Sequence, residues 1–452
     1  METVTLTTTL WIILLGYGLL MWFIAPATSS LQSFFKGRDL KGRKPEVPIL
    51  TASIVVAWIF AKSITNTANL GRDFGLMGGL TYAVYYIGIP ICGFLIVRLR
   101  RTTGSKSLAE YVSRTYGSGA AKLFMAVILL RLYNEVWSNT AVVGSYFGQP
   151  GSQSFVLSAL VFTGLVLLYT LKGGLRTSLV TDFVQFGLLV LAVILTLVWV
   201  VPQAPTLSLA PAKAGFWNSG IDLMLVALIQ CVPYPFHDPV LTDRAFLAGT
   251  KTTRWSYLLA GSIAAALILL FSFVGMAARA VGGNAAVDAP VQVTMAGGVG
   301  ILALMMSVMM LSGSGVLDST FSSTSKAVVV DLKVGPQSVL LGRMSMVAIA
   351  VLGNLPMLLG TNILKATTVS GSMVLGLAPI FLFLSQEKRS SLAFIVPVGI
   401  SVVLGIISAI WPEVLPLKVG SGAYGSLLAW NLAITILVWI GFGYFFRRPR
   451  VD

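Results

Sequence analysis

The sequence predicts an all-α membrane protein of about thirteen transmembrane helices around a core of two five-helix blocks. Three observations carry that prediction: long apolar runs, a scarcity of charge, and two interruptions in corresponding places. Of 452 residues, 56% are hydrophobic and 10% are charged, with a mean hydropathy of +0.87. A soluble domain carries about 25% charged residues to coat its surface, so a water-soluble fold is excluded. The apolar runs are continuous rather than alternating, which excludes a porin-like barrel. Two cysteines, Cys92 and Cys231, exclude a disulfide framework.

A spanning helix needs about 20 largely apolar residues. Such stretches begin near residues 8, 49, 76, 119, 153, 177, 220, 255, 297, 337, 365, 391 and 424. The first has neither a basic segment before it nor an A-x-A cleavage site, so it reads as a retained helix. Of the 31 Lys and Arg, Lys62, Arg131 and Lys326 fall within spans. Alternating the sides, with the Lys36–Lys44 loop inside, leaves five outside: Arg72, Lys213, Arg279, Lys365 and Lys418. The other 23 lie inside, which places the N-terminus outside and the C-terminus in the cytoplasm. The +15 net charge then belongs to cytoplasmic loops, and no nucleic-acid partner is expected.

This division gives 1–48 as an extra N-terminal helix and cytoplasmic basic loop. Residues 49–202 form the first repeat (core helices 1–5), 203–219 an extracellular connection, and 220–385 the second repeat (core helices 6–10) in opposite orientation. Residues 386–452 supply two C-terminal helices and a basic tail.

Each repeat opens on an interrupted helix. In the first, Ala61–Gly71 (AKSITNTANLG) is polar where a lipid-facing helix is apolar, and a break is expected near 62–69. In the second, Pro233, Pro235 and Pro239 fall within seven residues. Each removes a backbone donor and clashes one turn back, so a break is expected over 231–239. Paired broken helices free carbonyls and amides at mid-membrane, where an ion or polar solute binds. Thr65, Asn66, Tyr234, His237 and Lys62 are the polar side chains around these breaks and form the candidate solute site.

Ionisable residues inside spans are costly and by default functional. Arg131 and Glu135 lie four apart on one helix and can pair with each other. Lys326, one turn from the cytoplasmic end, can snorkel. Asp182 and Asp318 have no opposite charge four residues away on their own helices, and Lys62 is expected within salt-bridge reach of one of them in at least one conformation.

At Gly173-Gly174-Leu175, followed by Thr181-Asp182 and Gln185, the chain resembles the signature of the sodium:solute symporter family, the carriers of glucose, proline, pantothenate and sialic acid. Asp243-Arg244-Ala245-Phe246-Leu247-Ala248 is similar to that family's Q-R-x-L-A segment, and the Ser/Thr-rich helix ends in Val330-Asp331-Leu332 as theirs does. The resemblance implies the five-plus-five inverted-repeat fold of the leucine transporter, with alternating access. It implies a main sodium site at the Ala61 and Ile64 carbonyls with Ser312, where the two further positions are Gly315 and Val316 and supply no hydroxyl. It also implies a second cation site at Asp182, Asp318 and Ser319. The sugar carriers' polar ligands fall on Ala68, Ile87 and Cys231, which argues against a sugar.

The expected function is secondary active transport of a small solute, a monocarboxylate or an amino acid, by a cation-coupled symporter with an altered sodium site. Na+ is the coupling ion by resemblance and H+ the alternative; no covalent cofactor is expected. In a proton-coupled or uncoupled carrier, Lys62 replaces the sodium ion. A membrane module that senses a solute is the remaining alternative. An enzyme is not expected, because His237 is the single histidine and no nucleophile–base pair or metal-ligand spacing accompanies it. The expected location is the plasma (cytoplasmic) membrane of a bacterium, as a multi-pass protein in contact with lipid and without an obligatory protein partner.

Overall fold

The computed structural model describes residues 2–39, 41–204, 207–282, 287–359 and 370–447. Its helices are α1 (Glu2–Ile24), α2 (Leu31–Lys36), α3 (Val47–Trp58), α4 (Ala61–Phe74), α5 (Leu76–Ala83), α6 (Gly88–Thr103), α7 (Leu108–Tyr116) and α8 (Ser118–Gly144). These are followed by α9 (Gln153–Gly173), α10 (Leu175–Val200), α11 (Ile221–Gln230), α12 (Pro239–Arg244), α13 (Thr250–Ala280), α14 (Ala289–Lys326) and α15 (Val339–Leu352). Helices Leu377–Leu382, Leu392–Ile410 and Gly425–Phe446 complete the described chain.

Among the described residues, nine helices are long and apolar enough to cross a membrane, or ten with α3 and α4 taken as one bent span. The protein is thus an all-helical, multi-pass integral membrane protein. The remaining expected spans differ for physical reasons. α8 carries the buried ions Arg131 and Glu135, and α11 has only ten residues before the prolines stop it. The span expected from 365 begins at residues outside those described.

The outer faces are apolar. Ile12, Phe23, Val198, Leu340 and Ile440 are all more than half exposed, a cost in water and a match for lipid tails. The interior is polar by comparison, holding Lys62, Arg131, Glu135, Asp182, Arg244 and Asp318 with almost no exposure. Such groups are tolerated at membrane depth only when they face one another.

Small residues let the core helices approach. A Cβ on Gly275 of α13 would overlap the Ala68 carbonyl of α4, and one on Gly71 would overlap the Ser272 carbonyl. This is the small-residue contact common between membrane helices. Gly275→Ala is therefore expected to lower stability by about 1–3 kcal/mol through overpacking. Gly164→Ala is the control: its Cβ would meet nothing within 4 Å, so helix propensity should make it neutral or slightly stabilising. Equal melting temperatures for the two variants would refute the packing argument.

Candidate functional site

The first helix break lies at Ile59-Phe60, where both residues are non-helical (ψ 85° and 145°), and α3 and α4 meet at 64°. This corrects the expected position, 62–69, which is helical. No proline or glycine causes the break. Side chains from other elements take up the freed backbone groups instead. Asn139 Oδ1 accepts from Ala61 N (3.0 Å), Tyr86 Oη donates to the Trp58 carbonyl (3.2 Å), and Ser312 Oγ donates to the Ile59 carbonyl. The polar run tolerates its helix because its hydroxyls are satisfied: Thr65 Oγ1 donates to the Ala61 carbonyl at 3.2 Å, and Ser63 Oγ lies 3.1 Å from Tyr82 Oη.

The second break follows the prolines. α11 ends at Gln230, a 3-10 turn covers Tyr234–His237, and Asp238 caps α12 by accepting from Val240 N at 3.0 Å.

The two breaks meet at a cavity of about 20 Å³, lined by Trp58, Phe60, Ser63 and Tyr82 with Tyr85, Tyr86 and Tyr234. That volume holds about one water molecule, so the aromatic groups are closed on each other. Beside it lies a buried ionic chain. Lys62 Nζ pairs with Glu135 Oε1 at 2.5 Å and donates to Ser138 Oγ at 3.0 Å. Arg131 Nη1 pairs with the same Glu135 oxygen, while Arg131 Nη2 reaches Asp238 Oδ2 at 3.0 Å. Trp58 Nε1 donates to that Asp238 oxygen too, at 2.9 Å. One carboxylate at the second break is thereby tied to the last residue before the first.

A second cluster lies between α3, α10, α12 and α14. Asp182 Oδ2 accepts from Ser53 Oγ (2.5 Å) and from Arg244 Nη2 (3.1 Å). Arg244 also donates to Ser53 Oγ at 2.7 Å and to Ser319 Oγ at 2.6 Å. Asp318 accepts from Ser178, Tyr169 and Thr181 at 2.9–3.0 Å. Lys326 pairs with Asp243 (2.7 Å) and Asp331 (2.9 Å).

The expected pairing of Lys62 with Asp182 or Asp318 is not found in this conformation: the partner of Lys62 is Glu135, and that of Asp182 is Arg244. Arg131 and Glu135 do pair, as their spacing predicts. Of the expected solute residues, Tyr234 lines the cavity, and Asn66 Nδ2 reaches Tyr82 Oη at 3.4 Å. His237 packs its ring 4.8 Å from that of Tyr234. Thr65 is turned to its own helix, and Lys62 to Glu135. Ser312 is committed to Ile59, while Asp182, Asp318 and Ser319 stand together with Arg244 among them. Asp238, Trp58, Tyr82 and Tyr85 are additional site residues that sequence reasoning missed. Asp238 carried a legible signal, a carboxylate inside a proline-broken span. The aromatic residues carried none, since aromatics are common in any membrane helix.

No family model matches the chain. It is 27% identical to rat (Rattus norvegicus) sodium/glucose cotransporter 2 over 166 residues, covering 35% of this chain and 24% of that protein. It is 24% identical to the urea-proton symporter DUR3 of Oryza sativa subsp. japonica over 165 residues, covering 35% and 22%. It is 23% identical to the mouse (Mus musculus) sodium/myo-inositol cotransporter over 173 residues, covering 37% and 24%. The chain thus spans about a quarter of the length of these curated relatives. Among solved structures, a Na+-coupled sialic acid symporter in a substrate-bound outward-open state superposes with a TM-score of 0.70 at 14% identity, over 96% of this chain and 97% of that one. MhsT in complex with L-phenylalanine superposes with a TM-score of 0.57 at 14% identity, over 90% and 100%. These likenesses show the fold.

Proposed function

Because this chain is related to the sodium:solute symporters and has the leucine-transporter fold, we propose that it is a secondary transporter moving a small solute by alternating access, coupled to a cation. In this reading thirteen spans cross the membrane, with the N-terminus outside and the C-terminus in the cytoplasm. Residues 49–202 and 220–385 are the inverted repeats. The solute sits where their broken helices meet, against Asn66 and Tyr234, with Thr65, Lys62 and His237 close by.

The observation that carries the reading is the convergence of both breaks on one small aromatic cavity. Half-helices that end at mid-membrane can swing about their breaks without losing internal hydrogen bonds, which is what alternating access demands. The cavity is too small for a solute as it stands. The closed arrangement then corresponds to a state between the two open ones.

For the coupling ion, proton coupling is favoured over sodium by specific residues. Gly315 and Val316 offer no hydroxyl, and the hydroxyl of Ser312 is used by the Ile59 carbonyl. Arg244 stands against Asp182 and Ser319 at one of the positions that the resemblance assigns to sodium, and Lys62, next in sequence to Ala61 at the other, pairs with Glu135. The names of the relatives include both sodium- and proton-coupled carriers. Proteoliposomes with an inward proton or sodium gradient separate the possibilities. Uptake is expected with the proton gradient, and no sodium-dependent rise in melting temperature is expected for the wild-type protein. A sodium-dependent rise that Ser312→Ala abolishes would establish a sodium site built from backbone and water ligands.

A further inference from the structure

We propose that the solute is uncharged: a small, flat, polar molecule of the amide or lactam type, held by stacking and neutral hydrogen bonds. The inference rests on the transporter reading and names the substrate class of that same site.

The charged groups beside the cavity close on themselves. Lys62 and Arg131 supply two cations, Glu135 and Asp238 two carboxylates, and their side chains are no more than 1% exposed. The chain runs Lys62–Glu135–Arg131–Asp238 without a gap. The spare oxygen of Glu135 is taken by Asn139 Nδ2 at 2.9 Å, and that of Asp238 by Val240 N at 3.0 Å. Arg131 Nε has no hydrogen-bond partner among the described residues, but the two cations and two carboxylates already balance, so a carboxylate solute there would be a surplus buried charge. An ammonium solute would have to draw away Glu135 or Asp238. Either solute adds an unbalanced charge to a buried set whose cations and carboxylates already cancel, whereas a neutral solute leaves that balance intact.

Two of the lining rings, Phe60 and Tyr234, point the same way. An aromatic box suits a cationic solute only while its faces are free. Here Arg131 lies 5.1 Å from the Phe60 centroid and 5.2 Å from that of Tyr234, and Lys62 lies 5.0 Å from that of Phe60. The cation–π capacity of those rings is already used by the protein.

What remains is neutral. Trp58 and Tyr85 each pack edge-on against Tyr234 at 6.1 Å, leaving flat apolar surfaces around the cavity. Ser63, Tyr82 and Asn66 form a chain of groups that both donate and accept. Behind Tyr234, His237 Nδ1 meets the Tyr234 carbonyl, while Nε2 is buried without a partner among the described residues. A ring that donates from Nδ1 leaves Nε2 as a bare acceptor, next to the cavity but outside its lining.

The test follows thermal unfolding of the purified full-length protein with matched pairs: acetamide and acetate, benzamide and benzoate, nicotinamide and nicotinate, plus tetramethylammonium. At least one amide is expected to raise Tm, with its carboxylate weaker by about 100-fold or more. Tyr234→Ala should abolish the shift, and Trp58→Phe, which keeps a ring, should reduce it. Glu135→Gln leaves a surplus cation and should gain a response to the carboxylates. A carboxylate or tetramethylammonium that stabilises the wild-type protein as well as the amides do overturns the inference and leaves the transporter reading standing. No response to any of the amides overturns it as well. An amide that binds but shows no counterflow in proteoliposomes overturns the transporter reading instead.

Discussion

Glu135→Gln is expected to destabilise the folded protein by about 3–5 kcal/mol, the cost of leaving a buried charge without its partner. The reason is asymmetry within the ionic chain. Among the described residues, Glu135 is the carboxylate within 4 Å of Lys62, whereas Arg131 keeps Asp238 when Glu135 is neutralised. Lys62→Met should cost much less, because Glu135 retains Arg131 and the Asn139 amide. Adding Lys62→Met to Glu135→Gln should restore most of the loss, since the stranded ammonium is gone. The double-mutant cycle, read as melting temperatures in detergent, isolates that coupling. Additive losses from the two substitutions would mean that the pair in the structure contributes nothing. A loss caused by Asp182→Asn or Asp318→Asn that Lys62→Met relieves would instead restore the pairing that the sequence alone suggested.

The second large effect is expected at Arg244. Its guanidinium stands among Asp182, Ser53 and Ser319, at the position that family resemblance assigns to a second cation. Arg244→Met leaves two buried carboxylates, Asp182 and Asp318, sharing the Ser178 hydroxyl with no cation between them. The expected loss is again about 3–5 kcal/mol, and Asp182→Asn in the same chain should recover much of it. An oxygen-rich cluster with surplus negative charge is also what a hard cation takes. Sodium should therefore raise the melting temperature of Arg244→Met more than choline does, while the wild-type protein shows no such difference. If sodium acts equally on both, Arg244 is not a stand-in for an ion.

Much of the architecture was legible because it follows from local chemistry. Apolar run length and the scarcity of charge determined, without coordinates, that the chain is helical and lives in a membrane. The break at Pro233–Pro239 was equally legible, because a proline carries its helix-breaking geometry within its own ring. Arg131 and Glu135 were paired correctly for a similar reason: four residues on one helix is a fixed distance.

What only the tertiary structure decided has partners far apart in sequence. The first helix breaks at Ile59-Phe60 because Tyr86, Asn139 and Ser312, between 28 and 253 residues away, take up its backbone groups. No propensity of Ile or Phe announces that. Lys62 chose Glu135 over Asp182 because α4 packs beside α8, and Arg244 reached Asp182 because α12 folds back toward α10 after the second break. Charge alone required that each buried ion have a counter-ion. Which one it has depends on distances of a few Å between helices, and those are fixed by contacts such as Gly275 against Ala68.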